Sequence, residues 1–90
     1  MSSQSKRRRV RFQIRADRGS QVWLAGSFND WNTTSHRLKY RDGLHSLNVL
    51  LPPGRYEYKF IVDGVWCVDP DCKEWSANEH GSLNSVLTVA

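Results

Sequence analysis

Residues 55–66 read RYEYKFIVDGVW, and their alternation decides the fold. Tyr56, Tyr58, Phe60 and Val62 fall on one side, with Glu57, Lys59, Ile61 and Asp63 on the other, which is the period-2 pattern of a half-buried strand. Aromatic and β-branched side chains suit a pleated surface. Asp63-Gly64 follows as a two-residue turn signal and Val65-Trp66 begins an answering strand, so the stretch predicts a β-hairpin with a positive-φ turn. On its polar face Lys59 stands in mid-strand, with Trp66 just past the turn. An ammonium group beside an exposed flat ring is the chemistry of a binding platform.

The chain on either side carries the same signals. Val10, Phe12 and Ile14 alternate with Arg9, Arg11, Gln13 and Arg15, giving a first strand with one apolar and one basic face, and a turn follows at residues 17–20. A second strand is expected over residues 21–28, with Val22 and Leu24 opposite Trp23 and Ala25; FNDWN at 28–32 then leads into a polar loop. A short strand over 37–40 and a turn at 41–43 precede a strand over 44–51, whose His45, Leu47, Val49 and Leu51 share one face. Pro52-Pro53-Gly54 reverses the chain into the opening hairpin. After Trp66 comes a long polar connection, residues 67–81, whose length invites a functional reading, and a last strand over 83–89. About seven short antiparallel strands without helical periodicity predict an all-β sandwich of immunoglobulin-like proportions.

Ninety residues, 39% hydrophobic and 24% charged, hold one modest core. The expected organisation is a disordered basic N-terminal arm over residues 1–8 and one β-sandwich domain over 9–90. Lys6, Arg7, Arg8, Arg9 and Arg11 supply five of the 13 basic residues, so the other eight face nine acidic residues and the body is close to neutral. The arm reads as a solvated tail; contact with phosphates is the alternative. No apolar run approaches the roughly 20 residues that span a bilayer. No apolar segment of signal type follows the basic start, so a cytoplasmic location and no membrane contact are expected. Cys67 and Cys72 are too few for a disulfide framework. With His80 they would still lack a fourth zinc ligand, so neither metal nor cofactor is expected.

Asp63, Asp69, Asp71 and Glu74 are near in sequence but belong to a turn and a solvated loop, not to a paired acid and base. No nucleophile-base motif or phosphate-binding glycine pattern is present, and no catalytic residue is expected. Binding fits better. Sugars present C–H faces and a polar rim, which flat rings and amide, hydroxyl or ammonium groups match, and Trp31, Trp66, Lys59 and Asn84 provide that set. Trp31 sits among Asn29, Asp30, Asn32, Thr33 and Thr34, so burying it would drag polar neighbours inward. Trp23, in mid-strand, reads as core filling, and His45 as a core or boundary histidine.

VWLAGSFNDW at 22–31, LPPGRYEYKF at 51–60, VDGVW at 62–66 with Asp69-Pro70, and GSLN at 81–84 closely resemble the glycogen-binding domain of AMP-activated protein kinase β subunits. That domain belongs to carbohydrate-binding module family 48. The likeness runs over about residues 10–89, in four blocks in the right order. It implies an early-set immunoglobulin-like sandwich that binds α-1,4-linked glucans such as glycogen, starch or maltooligosaccharides. The family's two platform tryptophans match Trp31 and Trp66, its sugar-contacting lysine Lys59 and its loop asparagine Asn84. Ser82 stands where that domain has a threonine. His80 stands where it has a leucine that reaches through the curve of the sugar chain, and an imidazole there would stack or hydrogen-bond instead. Trp75 has no counterpart. The expected function is non-catalytic glucan binding, with a glycogen-metabolism enzyme or kinase as a further partner. The competing readings are a protein-interaction or regulatory module of such an enzyme and, less favoured, nucleic-acid binding through the basic arm.

Overall fold

The alternation read from the sequence becomes two antiparallel sheets packed face to face. The computed structural model describes residues 6–90, so most of the expected arm, residues 1–5, lies outside the described residues. The strands are β1 (Arg8–Arg15), β2 (Val22–Gly26), β3 (Lys39–Arg41), β4 (Leu44–Leu51), β5 (Gly54–Val62), β6 (Val65–Cys67), β7 (Trp75–Ala77) and β8 (Leu83–Val89). One sheet has the order β1-β4-β3; the other runs β2-β5-β8-β7, with β6 paired to β5 beyond the end of β8. The all-β sandwich holds, with one short strand more than the seven expected, because β7 forms inside the long connection after Trp66.

The core is made by the inward half of each alternating strand. Phe12 and Ile14 from β1, Val22 and Leu24 from β2, Leu51 from β4, Tyr58 and Phe60 from β5 and Val89 from β8 meet Leu38 between the sheets. Phe12 lies edge-on to Tyr58 at 4.9 Å between ring centroids, and Phe28 packs at 5.7 Å from Phe12. His45 is buried with this set, and its Nε2–H donates to the Asp17 carbonyl at 2.8 Å. That is the core histidine expected from its place in β4.

Three boundaries differ from the sequence reading. β1 begins at Arg8, inside the stretch expected to be an arm, because Arg8 pairs with Leu51 and its Nε donates to the Ala90 carbonyl. The second strand stops at Gly26, where a 3-10 turn over Ser27–Asn29 replaces the expected strand end. Gly26 is forced by space: a Cβ there would come within 2.6 Å of the Phe28 ring and 2.7 Å of the Glu57 carbonyl oxygen. The Asn29 side chain then accepts from the Gly26 N–H at 3.0 Å, and Trp31 N–H donates to the Gly26 carbonyl at 2.9 Å. The third difference is at 36–38. Arg37 bridges Trp23 on the outer edge of β2 before the chain crosses to β3, so this segment closes one side of the sandwich.

Trp23 consequently lies on the outer face of the β2-β5-β8-β7 sheet and not in the core. Its ring is half-buried beneath the Arg37 guanidinium, 5.8 Å from the ring centroid.

Candidate functional site

The β5–β6 hairpin forms as read. Asp63 and Gly64 have φ of 49° and 84°, the two positive values of a type I′ turn, and Trp66 pairs with Ile61. The outer face of β5 therefore carries Glu57, Lys59 and Ile61, with Trp66 beside Ile61 and exposed. β8 runs along the earlier part of the same edge, its Ser85 opposite Tyr58, which places Asn84 one residue on, beside Lys59. From the opposite edge of the sheet the FNDWN loop brings Trp31. Asp30 and Trp31 both have left-handed backbone, φ of 54° and 58°, an uncommon conformation for a bulky residue that is held by the Trp31 N–H bond to Gly26.

These elements enclose one cleft of about 1100 Å³. All six residues singled out from the sequence line it: Trp31, Lys59, Trp66, His80, Ser82 and Asn84. Ser27, Arg55, Glu57, Asn78 and Glu79, which the sequence reading did not single out, line it too. Trp75 does not; it lies on the edge strand β7, opposite Ser85, with its ring exposed.

The floor is polar and hydrogen-bonded, with Lys59 and Asn84 buried at its centre. Lys59 is 9% exposed, and its Nζ donates to Ser82 Oγ at 3.0 Å, leaving two ammonium donors uncommitted. Asn84 donates through Nδ2 to Glu57 Oε1 at 3.0 Å and accepts at Oδ1 from Asn78 Nδ2 at 3.1 Å. Glu57 also accepts from Arg55 Nη1 at 2.8 Å. The hydrogen bond from Asn84, followed by that from Arg55, holds the Glu57 carboxyl below the ordinary carboxylate value. The floor is thus a fixed relay, Arg55 to Glu57 to Asn84 to Asn78, beside a lysine with donors to spare.

Asn78 organises the rim. Its Oδ1 accepts from the backbone N–H of His80 at 2.9 Å and of Ser82 at 3.1 Å, while its Nδ2 bonds Ser82 Oγ at 2.9 Å as well as Asn84. Its own backbone N–H donates to the Ser82 carbonyl, and its carbonyl accepts from Gly81 N–H. One side chain therefore fixes the positions of Ser82, Asn84 and the His80 backbone, leaving the exposed imidazole at the lip. The signal was present in Asn78-Glu79-His80-Gly81, since asparagine bonds its own backbone two residues on and glycine supplies the positive φ, here 78° at Gly81. Glu57 and Arg55 were also legible, because they share the outer face of β5 with Lys59.

Of the four acidic residues weighed as catalytic candidates, Asp63 and Asp69 hold structural partners through their carboxylates. Asp63 Oδ1 accepts from Gln21 N–H at 2.9 Å. Asp69 accepts from the Tyr58 hydroxyl at 2.7 Å and from Asp71 N–H, while its own N–H bonds Ser85 Oγ. This buried knot pins the connection that follows β6 onto the core. Burial, reinforced by the Asp69 carboxylate, pushes the Tyr58 hydroxyl far above the ordinary phenol value, so it remains a donor. Cys67 and Cys72 are both free thiols.

Known proteins resemble this arrangement in sequence and shape. The chain is 49% identical over 70 residues to protein FLOURY ENDOSPERM 6, chloroplastic, of Oryza sativa subsp. japonica, which covers 78% of this chain and 13% of that protein. It is 53% identical over 51 residues to protein PTST homolog 2, chloroplastic, of Arabidopsis thaliana, covering 57% of this chain and 10% of that one. The chain thus spans about a tenth of the length of these relatives. Both are chloroplastic proteins, and this overturns the expectation of a cytoplasmic location. A crystal structure of maltogenic amylase from S. marinus superposes with a TM-score of 0.78 at 21% identity, over 93% of this chain and 14% of that one, and shows the same fold. Residues 9–90 match the family described as the glycogen recognition site of AMP-activated protein kinase, and the chain belongs to that family.

Proposed function

We propose that residues 9–90 form one binding module that holds α-1,4-linked glucans, such as glycogen, starch or maltooligosaccharides, in the cleft between Trp31 and Trp66 without acting on them. The family to which the chain belongs is a non-catalytic glucan-binding one. The observation that carries the reading is the convergence of two tryptophans from opposite edges of one sheet over a buried, hydrogen-bonded polar floor. Trp31 and Trp66 offer ring faces to the C–H faces of glucose units, and Lys59 and Asn84 offer donors and acceptors to the hydroxyls between them. Ser82 orients the Lys59 ammonium, and His80 meets the ligand at the lip. The site is open and trades ordered water for sugar hydroxyls, so affinity is modest. The glycogen named in the family's description points to the same substrate class.

The module's place is beside a catalytic partner, a glycogen-metabolism enzyme or kinase, which it keeps on the glucan; the kinase named in the family description supports this. Co-sedimentation with glycogen tests the site. Trp31→Ala and Trp66→Ala each abolish pelleting while circular dichroism stays that of the parent; pelleting by both variants would overturn the platform.

A further inference from the structure

The outer face that carries Trp66 does not end there. Register places Trp66 beside Ile61, Ile61 beside Trp23, and Trp23 beside Arg37, so these four form one row across β6, β5, β2 and the 36–38 segment. Three strand spacings of about 4.8 Å make the row about 14 Å from Trp66 to Arg37. Ile61 is buried in its middle, and the Arg37 guanidinium lies over the Trp23 ring at 5.8 Å. At the far end Arg37 is also part of a second cleft, about 330 Å³, shared with Arg18, Lys39, Ser20, Tyr40 and the buried His45.

Three cations from two separate segments, Arg18, Arg37 and Lys39, line this cleft. Among the described residues none of them forms an ion pair, since the ion pairs present are at Arg41, Arg55 and His80. Asp63, on the adjoining β5–β6 turn, accepts from the Gln21 N–H through Oδ1 and is held in its charged form by that bond, so three cations stand against one carboxylate here. Two guanidinium groups and an ammonium are the donor set for a phosphate monoester, which carries nearly two negative charges near neutral pH and three acceptor oxygens. The row that joins the cleft to the tryptophan platform indicates what brings the phosphate.

We propose that Arg18, Arg37 and Lys39 form a phosphate subsite at the end of the glucan face, so that the module binds phosphorylated α-glucan in preference to neutral glucan. This rests on the glucan-binding reading. The contact with the Trp23 ring holds the Arg37 guanidinium at the end of the row that starts at Trp66, and Arg18 and Lys39 supply the other donors of the cleft.

Calorimetric titration at low salt with maltoheptaose, with maltoheptaose bearing a phosphate monoester at C6 of one glucosyl unit, and with inorganic phosphate tests this. The phosphorylated chain binds about tenfold tighter than the neutral one. Arg37→Gln, and separately Arg18→Gln with Lys39→Gln, bring the two to parity and leave maltoheptaose affinity unchanged. The double variant lies away from the Trp23 stack, so it stands even if Arg37→Gln disturbs the fold. Equal affinities in the parent, with maltoheptaose still bound, overturn the phosphate subsite alone. A preference that survives both sets of substitutions, or inorganic phosphate binding without any gain for the phosphorylated chain, overturns it as well. If neither oligosaccharide binds, the glucan reading falls and the subsite with it.

Discussion

Arg9, Arg11, Gln13 and Arg15 along β1, with Lys39 and Arg41 on β3, stand on the outer face of one sheet, opposite Leu50, Asn48, Ser46 and Leu44 of β4. The cations on that face are all exposed. The other sheet's outer face has the same alternation, yet Lys59, Ile61 and Asn84 on it are 9%, 7% and 6% exposed. Strand pattern is therefore not what separates a solvated face from a site. The difference lies in the connections: the first sheet's face is joined by short turns, whereas the chain from β6 to β8 and the loop holding Trp31 rise around the second. A rigid sheet supplies positions, and the long connection converts some of them into a buried, directional surface.

If that contrast is right, the largest effects come from substitutions that loosen the connection. Tyr58→Phe leaves the buried Asp69 carboxylate without its hydroxyl donor, and stability falls by about 2 kcal/mol, read as a lower urea midpoint at unchanged slope. An unaltered midpoint would mean that the knot is not what holds the connection down. Asn78→Ala comes next. It removes the group that fixes Ser82, Asn84 and the His80 backbone, so maltoheptaose affinity drops about tenfold, near 1.4 kcal/mol. Its amide signals outside residues 76–85 stay in place. Unchanged affinity would show that Asn84 and Ser82 keep their orientation without Asn78.

Much of this is legible in the sequence, for definite reasons. Period-2 alternation around Tyr58 and Phe60, and the Asp63-Gly64 turn, are local signals, and local signals gave both the sheet faces and the hairpin. The polar neighbours of Trp31 argue against a core position, and the structure sets its ring, half-buried, in the cleft wall. What stayed hidden depended on neighbours distant in sequence. Gly26 ends β2 because the Glu57 backbone and Phe28 ring leave no room for a Cβ, and nothing near residue 26 announces that approach. Trp23 looked like core because mid-strand tryptophans usually are, whereas the crossing segment at 36–38 puts Arg37 over its outward ring. Glu57 and Asn78 were on the correct face and in the correct loop, but their importance lies in a shared bond partner, Asn84, 27 and 6 residues away.

The polar floor also separates the two faces by pH. Glu57 is held below the ordinary carboxylate value, so the folded state favours its charged form. Its contribution is complete above the ordinary value of about 4.3 and drains only as pH falls through the lower folded value. Maltoheptaose affinity is accordingly flat from neutral pH into the ordinary carboxylate range and declines below it. Glu57→Gln removes that acid limb at the cost of a smaller affinity at neutral pH. An acid limb that persists in Glu57→Gln would assign it to another group.

The smallest effect is expected on the open face. Arg11 donates to Gln13 Oε1 at 2.9 Å and to Ser46 Oγ at 3.3 Å, contacts made in full solvent that water replaces without loss. Arg11→Gln and Arg15→Gln together shift stability by less than about 0.5 kcal/mol and leave maltoheptaose binding unchanged. They do slow electrophoretic migration toward the cathode and weaken salt-dependent retention on a cation exchanger, because net charge is what those side chains supply. A measurable fall in maltoheptaose affinity would break the division between the faces, since it would require β1 to reach a neutral glucan or to set the position of the loops on the far side of the core.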